Sequence, residues 1–386
     1  MPDVVLDMTP LDSMSRLRGI GRYVSSLAAG IGGLSLEERG GLEIVGLVRH
    51  RPGRGALSDP TFAYAGDPGA LLGRNVDQRW RVARRLFLGT LAHATKARLL
   101  HVTCASGMPL DRRTPLVLTC FDLIPLILNR EYGSRLPGVT WAREMLRYRL
   151  ARRIIAISHV TKRDLVERLA VPEDRVDVAH LGVDHAWFHT GAVAGERTRV
   201  EELLGSREPF LLYVGAADPR KNLPTLIRAF ARSGRARDVK LVLVGAMSPP
   251  TAARLEAEAS RAGVGGRVRL VGYVDEALIP ALYRACLAHV FVSSYEGFGL
   301  PVLEALACGA PTVSSLASSL AEITGDAVLG LDDLGEDAIS AALRRIVDDG
   351  ALRARLAARG PAYAAQFTWR SCALGTVETY RRALAR

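Results

Sequence analysis

Short apolar runs alternate with helical stretches along almost the whole chain. This rhythm constrains the fold more than any single motif. "DVVLDM", from Asp3, reads as a buried strand, and "GIGRYVSSLAAGI" as the helix after it. "LEIVGLV", "RLLHVT", "PLVLTCF" and "RIIAISH" read as further strands, the last followed by the helix-like "VTKRDLVERLA". Strands buried on both faces show as continuous apolar runs, and their alternation with helices indicates parallel βαβ units. The polar, glycine-containing stretch "TGAVAGERTRVEELLGSREP", from Thr190, interrupts the rhythm and predicts a linker near it. Then the pattern restarts. "FLLYVG", "VKLVLVG", "RVRLVGY", "AHVFVSS", "APTVSS" and "AVLGL" are the strands of the second half, with "LPTLIRAFARS", "PTAARLEAEASRA" and "PVLEALACGA" among its helices. "AISAALRRIVDD", "ALRARLAARG" and "WRSCALGTVETYRRALAR" close the chain as helices.

A chain of 386 residues is too long for one comfortable core, so two doubly wound domains are expected, residues 1–195 and 196–368. In such sheets ligands lie beyond the carboxyl ends of the strands. Two sheets facing each other would make one cleft.

Composition narrows the function classes. With 48% hydrophobic and 24% charged residues, the chain is globular and not disordered. Cys104, Cys120, Cys286, Cys308 and Cys372 form no Cys-x-x-Cys pair and are odd in number. That argues against a disulfide framework or a structural zinc, and for a reducing compartment. "MPDVVLDMTP" has acidic residues where a secretory signal has basic ones, and Asp122 interrupts the longest apolar run. The expected location is cytoplasmic. The formal net charge is +11, and most of the excess falls in the first half. An anionic partner would explain it: a membrane surface, a phosphate-bearing ligand or nucleic acid. Arg-rich composition explains it equally well. No nucleic-acid-binding module is recognisable, so no nucleic-acid partner is expected.

Three strand-to-helix loops carry the chemistry. "SRLRGIGRYV" places Gly19 and Gly21 where backbone could approach a ligand, among Arg16, Arg18 and Arg22. The dinucleotide fingerprint fails there, since Val24 stands where a third glycine is needed and "VRH" ends the second strand without an acidic residue. A plain tight turn accounts for the two glycines about as well. "YVGAADPRKNLPTLIRAF" brings Gly215 to a strand end and Arg220 and Lys221 to a helix start. Cations are unfavourable beside a positive helix start, so the pair suggests an incoming diphosphate; a solvated surface pair is the plainer account. "SSYEGFGLPVLEALACGAP" sets Glu296 and Glu304 around Gly297 and Gly299, with Pro301 suited to the first turn of a helix. Glu304 could accept both hydroxyls of a ribose. It could equally be a helix residue that complements the dipole.

Glu-x7-Glu in "EGFGLPVLE", with "VFVSSY" before it and "ALACGAPTVSS" after it, resembles glycosyltransferase family 4. "GIGRYV", "LHVTCASGMP", "LTCFDLIPLI", "AISHVTKRDLVE", "VAHLGVDHAWF", "DPRKNL" and "SSLAEITGDAVL" extend the resemblance over nearly the whole chain. It implies a GT-B fold, two Rossmann-like domains facing across a cleft, with the C-terminal helix 369–386 completing the first. It also implies roles. Arg220 and Lys221 would neutralise the donor diphosphate, and Glu304 would hold the ribose. Glu296, with the amides of Phe298, Gly299 and Leu300, would hold the donor sugar and the nearby phosphate. Gly19 and Gly21 would approach donor or acceptor, and Val274 would lie at the base. Many relatives have a histidine before the Asp of the "DLIPL" motif, and this chain has Phe121 there. His101 is the nearest alternative polar side chain for a catalytic part, unless it is a satisfied strand-end histidine.

The activity implied is retaining transfer of a hexose from a nucleoside-diphosphate sugar to an acceptor hydroxyl. "RGIGRY" with "DLIPL" looks most like bacterial mannosyltransferases of surface polysaccharide, which makes GDP-mannose the first donor to consider and a UDP-hexose the second. No cofactor and no metal are expected, since there is no Asp-x-Asp and Arg220 and Lys221 supply positive charge. A lipid-linked acceptor would suit the basic, aromatic stretch around Trp80, Leu86 and Phe87, which reads either as an interfacial helix at the inner membrane face or as a core helix with a basic face. A sugar-nucleotide-binding protein without turnover is the rival reading.

Overall fold

The apolar runs are strands, and every pairing among them is parallel. The computed structural model describes residues 1–12, 19–47, 88–90, 92–128 and 137–385. Arg16, Arg18, Trp80, Leu86 and Phe87, and the "VRH" that ends the second run, lie outside them. The described chain divides into two compact units, Met1–Gly182 with Trp369–Arg386, and Val183–Thr368.

The first unit holds β1 (Val4–Asp7), β2 (Ile44–Leu47), β3 (Leu99–Val102), β4 (Leu116–Cys120), β5 (Arg153–Ala156) and β6 (Val176–Val178), in the order β2-β1-β3-β4-β5-β6. β6 has no counterpart among the predicted strands. It is three residues long, and its central Asp177 forms a bidentate pair with Arg153 of β5. The helix Gly19–Gly32 begins where the glycine motif begins, so Gly19 and Gly21 form its first turn. The C-terminal helix Trp369–Leu384 packs on it closely. A Cβ on Gly30 would stand 2.8 Å from the Trp369 carbonyl oxygen, which only glycine avoids.

The second unit holds β7 (Phe210–Val214), β8 (Lys240–Val244), β9 (Val268–Gly272), β10 (Ala288–Phe291), β11 (Thr312–Ser315) and β12 (Leu329–Leu331), in the order β12-β11-β10-β7-β8-β9. Strand order therefore reverses between β7 and β10. Ligands of doubly wound sheets bind at the carboxyl ends beside such a reversal.

Two expectations change. The predicted boundary at 195/196 moves toward the N-terminus, because Val183 donates to the Phe367 carbonyl and pairs with Thr368. The predicted linker contains the helix Glu196–Leu204. Glu196 is buried there by a bidentate pair with Arg284, which also donates to the His189 carbonyl. That distant partner left no mark on the local pattern. All five cysteines are buried and reduced. Among the described residues no helix is long and apolar enough to cross a membrane.

Candidate active site

At the reversal in the second sheet, the loops after β7 and β10 meet. Gly215, which follows the end of β7, adopts φ 153°. A Cβ there would press on the Tyr213 hydroxyl at 2.8 Å. Asp218 then caps a short turn, Pro219–Lys221, by accepting from the Arg220 amide. The turn aims Arg220 and Lys221 at the loop after β10. Ser294 donates its amide to the Arg220 carbonyl at 2.8 Å, and the Arg220 guanidinium donates to the Tyr295 carbonyl at 2.9 Å.

Glu296 occupies the centre of this junction. One carboxylate oxygen lies 2.5 Å from Arg220 Nη1, the other 2.5 Å from Lys221 Nζ. Glu296 is 7% exposed and Lys221 is 6% exposed, so the ion pair is shielded from solvent. Burial alone would raise the Glu296 carboxyl, but Lys221 and Arg220 together outweigh it and hold the group below its ordinary value. Burial pulls the Lys221 ammonium down, and although Glu296 opposes this, Arg220 adds to it. The two directions agree physically: the anion faces two cations, while each cation also faces another. Beneath Lys221 lies the Phe291 ring, 4.5 Å from Nζ to the centroid, and Tyr213 stacks on Phe291 at 5.9 Å.

The loop then turns into the helix Leu300–Ala307 through Gly299, which has φ 116°. Any Cβ at Gly299 would meet Leu320 Cδ2 at 2.6 Å. Pro301 stands in the first turn, as the sequence predicted. Gly297, Phe298 and Gly299 are buried and Leu300 is half-buried. Glu304, one turn into the helix, is 4% exposed, a more enclosed place than a residue facing open solvent would have. Val274 follows the end of β9 and is buried, while its neighbour Tyr273 is 67% exposed.

Arg220, Lys221, Glu296, Gly215 and the Gly297–Leu300 turn are therefore gathered at one junction. His101 is not at a site edge. It is fully buried in the first unit, where it bonds the Tyr380 hydroxyl and the Thr119 hydroxyl, each at 2.7 Å. Tyr23 bonds the same Thr119 at 2.9 Å. Burial pushes the imidazole down to about 3. His101 thus joins β3, β4 and two helices as a neutral core residue, which removes it from the catalytic candidates. Phe121 packs edge-on against Tyr23 at 5.0 Å. Sequence reasoning missed Asp218, whose Asx cap is legible in "DPRKN", and the serines of "SSLASSLAE".

Two doubly wound units, one with half-buried Arg220 and buried Lys221 paired to Glu296 at its topological switch point, define a protein of the α/β class. A model described as "Glycosyltransferase Family 4" matches residues 18–187, and one described as "Glycosyl transferases group 1" matches residues 195–363. O-antigen chain mannosyltransferase B of Escherichia coli is 30% identical over 278 residues, 70% of this chain and 72% of that protein. A D-inositol 3-phosphate glycosyltransferase of Salinispora arenicola (strain CNS-205) is 33% identical over 252 residues, 61% of this chain and 56% of that protein. Among solved structures, Anabaena Alr3699/HepE in complex with UDP and glucose superposes with a TM-score of 0.74 at 17% identity, covering 99% of this chain and 100% of that one. Sucrose-phosphate synthase from Thermosynechococcus elongatus gives 0.74 at 21% identity, covering 100% of both chains. At these identities the structural likeness establishes the GT-B fold. The chain belongs to the group 1, family 4 glycosyltransferases, and it is a glycosyltransferase.

Proposed function

We propose that this enzyme moves mannose from GDP-mannose to an acceptor hydroxyl on a lipid-linked glycan, with retention of anomeric configuration and without a metal ion. The observation that carries the reading is the Arg220–Glu296–Lys221 cluster at the switch point. Glycosyl transfer builds negative charge on the departing diphosphate and positive character on the sugar carbon. Arg220, Lys221 and the amides of the Gly297–Leu300 turn stabilise the first as preorganised charge. Glu296 accepts hydroxyls of the sugar, and Glu304 accepts those of the ribose. No side chain is assigned as a covalent nucleophile. The acceptor attacks on the face the diphosphate leaves, and the leaving phosphate takes its proton. The name of the Escherichia coli relative, an O-antigen chain mannosyltransferase, supports mannose and a surface-polysaccharide acceptor. The acceptor reading implies work at the inner membrane face.

A thermal-shift panel of nucleotide sugars tests the donor, because a ligand that binds only the folded state raises its apparent stability. GDP-mannose should stabilise most and should then give a glycosylated acceptor whose anomeric proton reports retention. UDP-glucose as the strongest binder would replace the donor. Tight binding of every active donor with neither transfer nor hydrolysis would reduce the protein to a binding module.

A further inference from the structure

Ser318 breaks two rules at once. Its backbone has φ 54° and ψ −133°, in a region that glycine visits and L-residues avoid. It also stands at the N-cap of the helix Ser319–Thr324, yet its side chain makes no cap bond. A serine at that position ordinarily accepts from an amide in the first turn of its own helix. Here the hydroxyl accepts instead from the Glu296 amide, at 2.7 Å. The next residue completes the grip. Ser319 Oγ lies 2.8 Å from the Glu296 carbonyl oxygen and 2.9 Å from that of Phe298. Consecutive serine hydroxyls thus hold both polar ends of residue 296, the N–H and the C=O.

We propose that Ser318 and Ser319 are positioning residues for Glu296. The inference rests on the sugar-reading part given to Glu296 above. Strained backbone persists where the surroundings over-determine it, and it gathers at functional sites. Glycine at 318 would be relaxed, so the hydroxyl is the feature that offsets the strain. Its partner is the residue whose carboxylate lies 2.5 Å from Arg220 and Lys221. The pair acts by fixing the peptide from which that carboxylate projects. Ser293 steadies the preceding segment independently, its carbonyl accepting from the Ser315 hydroxyl at 2.6 Å. Loss of the 318 hydroxyl therefore frees residue 296 without unseating the loop.

Ser318→Gly separates this from a merely structural part, because it removes the bond and the strain together. The melting temperature should stay level or rise. With the donor chosen by the thermal-shift panel, kcat should fall at least tenfold. Affinity for the matching free diphosphate, GDP or UDP, should stay within about twofold. Deuterium exchange in a peptide spanning 293–299 should quicken. A kcat within twofold of the unsubstituted enzyme overturns the proposal. So does diphosphate affinity falling in step with kcat, since the serine would then shape the whole pocket. Should Ser318→Gly fail to fold, Ser319→Ala must show the same split, and the same results decide. Glu296→Gln is measured alongside. If it keeps full turnover while Ser318→Gly does not, the reading of Glu296 fails, and this inference fails with it.

Discussion

Lys221 and Glu296 share an ion pair of 2.5 Å, buried at the junction of two loops, and Arg220 closes on the other carboxylate oxygen. In the free protein the side chains assigned to the diphosphate are thus paired with the side chain assigned to the sugar, one carboxylate between two cations. On the proposed roles, a diphosphate entering this site would compete with Glu296 for both cations, and the released carboxylate would turn to sugar hydroxyls.

Glu296→Gln should therefore have opposite effects on fold and on ligand. Removing one partner of a buried pair costs about 3–5 kcal/mol, less where a polar isostere stays. The free variant should melt several degrees lower. It should bind GDP more tightly, by about tenfold or about 1.4 kcal/mol, because no internal anion competes. Turnover of the intact donor should be lost. Titration calorimetry with GDP decides the point: weaker binding would mean that the carboxylate holds the cations in place and does not compete.

Glu304 calls for a different expectation, because it is buried at 4% exposure, one turn into the helix Leu300–Ala307. If it accepts both ribose hydroxyls, Glu304→Ala loses charge-assisted bonds worth about 2–3 kcal/mol. GDP should bind correspondingly more weakly, while guanine without ribose should bind as before. Equal losses for both would move Glu304 from the ribose to a supporting position in the helix.

Much of this was legible in the sequence, and the reasons differ by residue. In the second sheet β7 reads FLLYV and β8 reads KLVLV, nearly continuous apolar runs that composition reveals directly. "EGFGLPVLE" and "DPRKN" are local, so their turn and cap chemistry could be read from neighbouring residues. What escaped depends on partners far along the chain. Arg284 meets Glu196 across 88 positions, and that contact turned an expected linker into part of a domain. His101 meets Tyr380 across 279 positions, which makes it a core residue. The bond from the Glu296 amide to Ser318 spans 22 positions and leaves no periodic trace.

Metal dependence follows from the charge assignment. A metal-bridged diphosphate site needs hard oxygen ligands, usually clustered carboxylates. At this junction Glu296 pairs with Arg220 and Lys221 in the free protein and turns to sugar hydroxyls in the proposed donor complex, while Asp218 caps the turn that carries the cations. Full activity is expected in excess EDTA, with a loss of at least a hundredfold in Arg220→Ala. Activity abolished by EDTA and restored by magnesium or manganese would contradict the assignment.

The last expectation concerns acid. His101 in the first unit and His289 in the second are both fully buried, and burial pushes each imidazole down to about 3. In the unfolded chain each takes up a proton near 6.5. The unfolded state therefore binds more protons between those values. The stability from a neutral, buried ring is fully present above about pH 6.5 and is lost as pH falls toward 3, by up to about 1.4 kcal/mol per pH unit for each histidine. The two rings differ in their partners. His101 bonds Tyr380 and Thr119, whereas neither nitrogen of His289 has a hydrogen-bond partner among the described residues. His289→Leu removes an unsatisfied polar group, so it should cost little at pH 7 and should flatten the acid slope. His101→Leu takes the imidazole partner from the Tyr380 hydroxyl and leaves Thr119 bonded to Tyr23, so it should cost about 2 kcal/mol at pH 7. Thermal melts from pH 7.5 to 4.5 distinguish them. An unchanged slope in His289→Leu would show that His289 does not set the acid sensitivity.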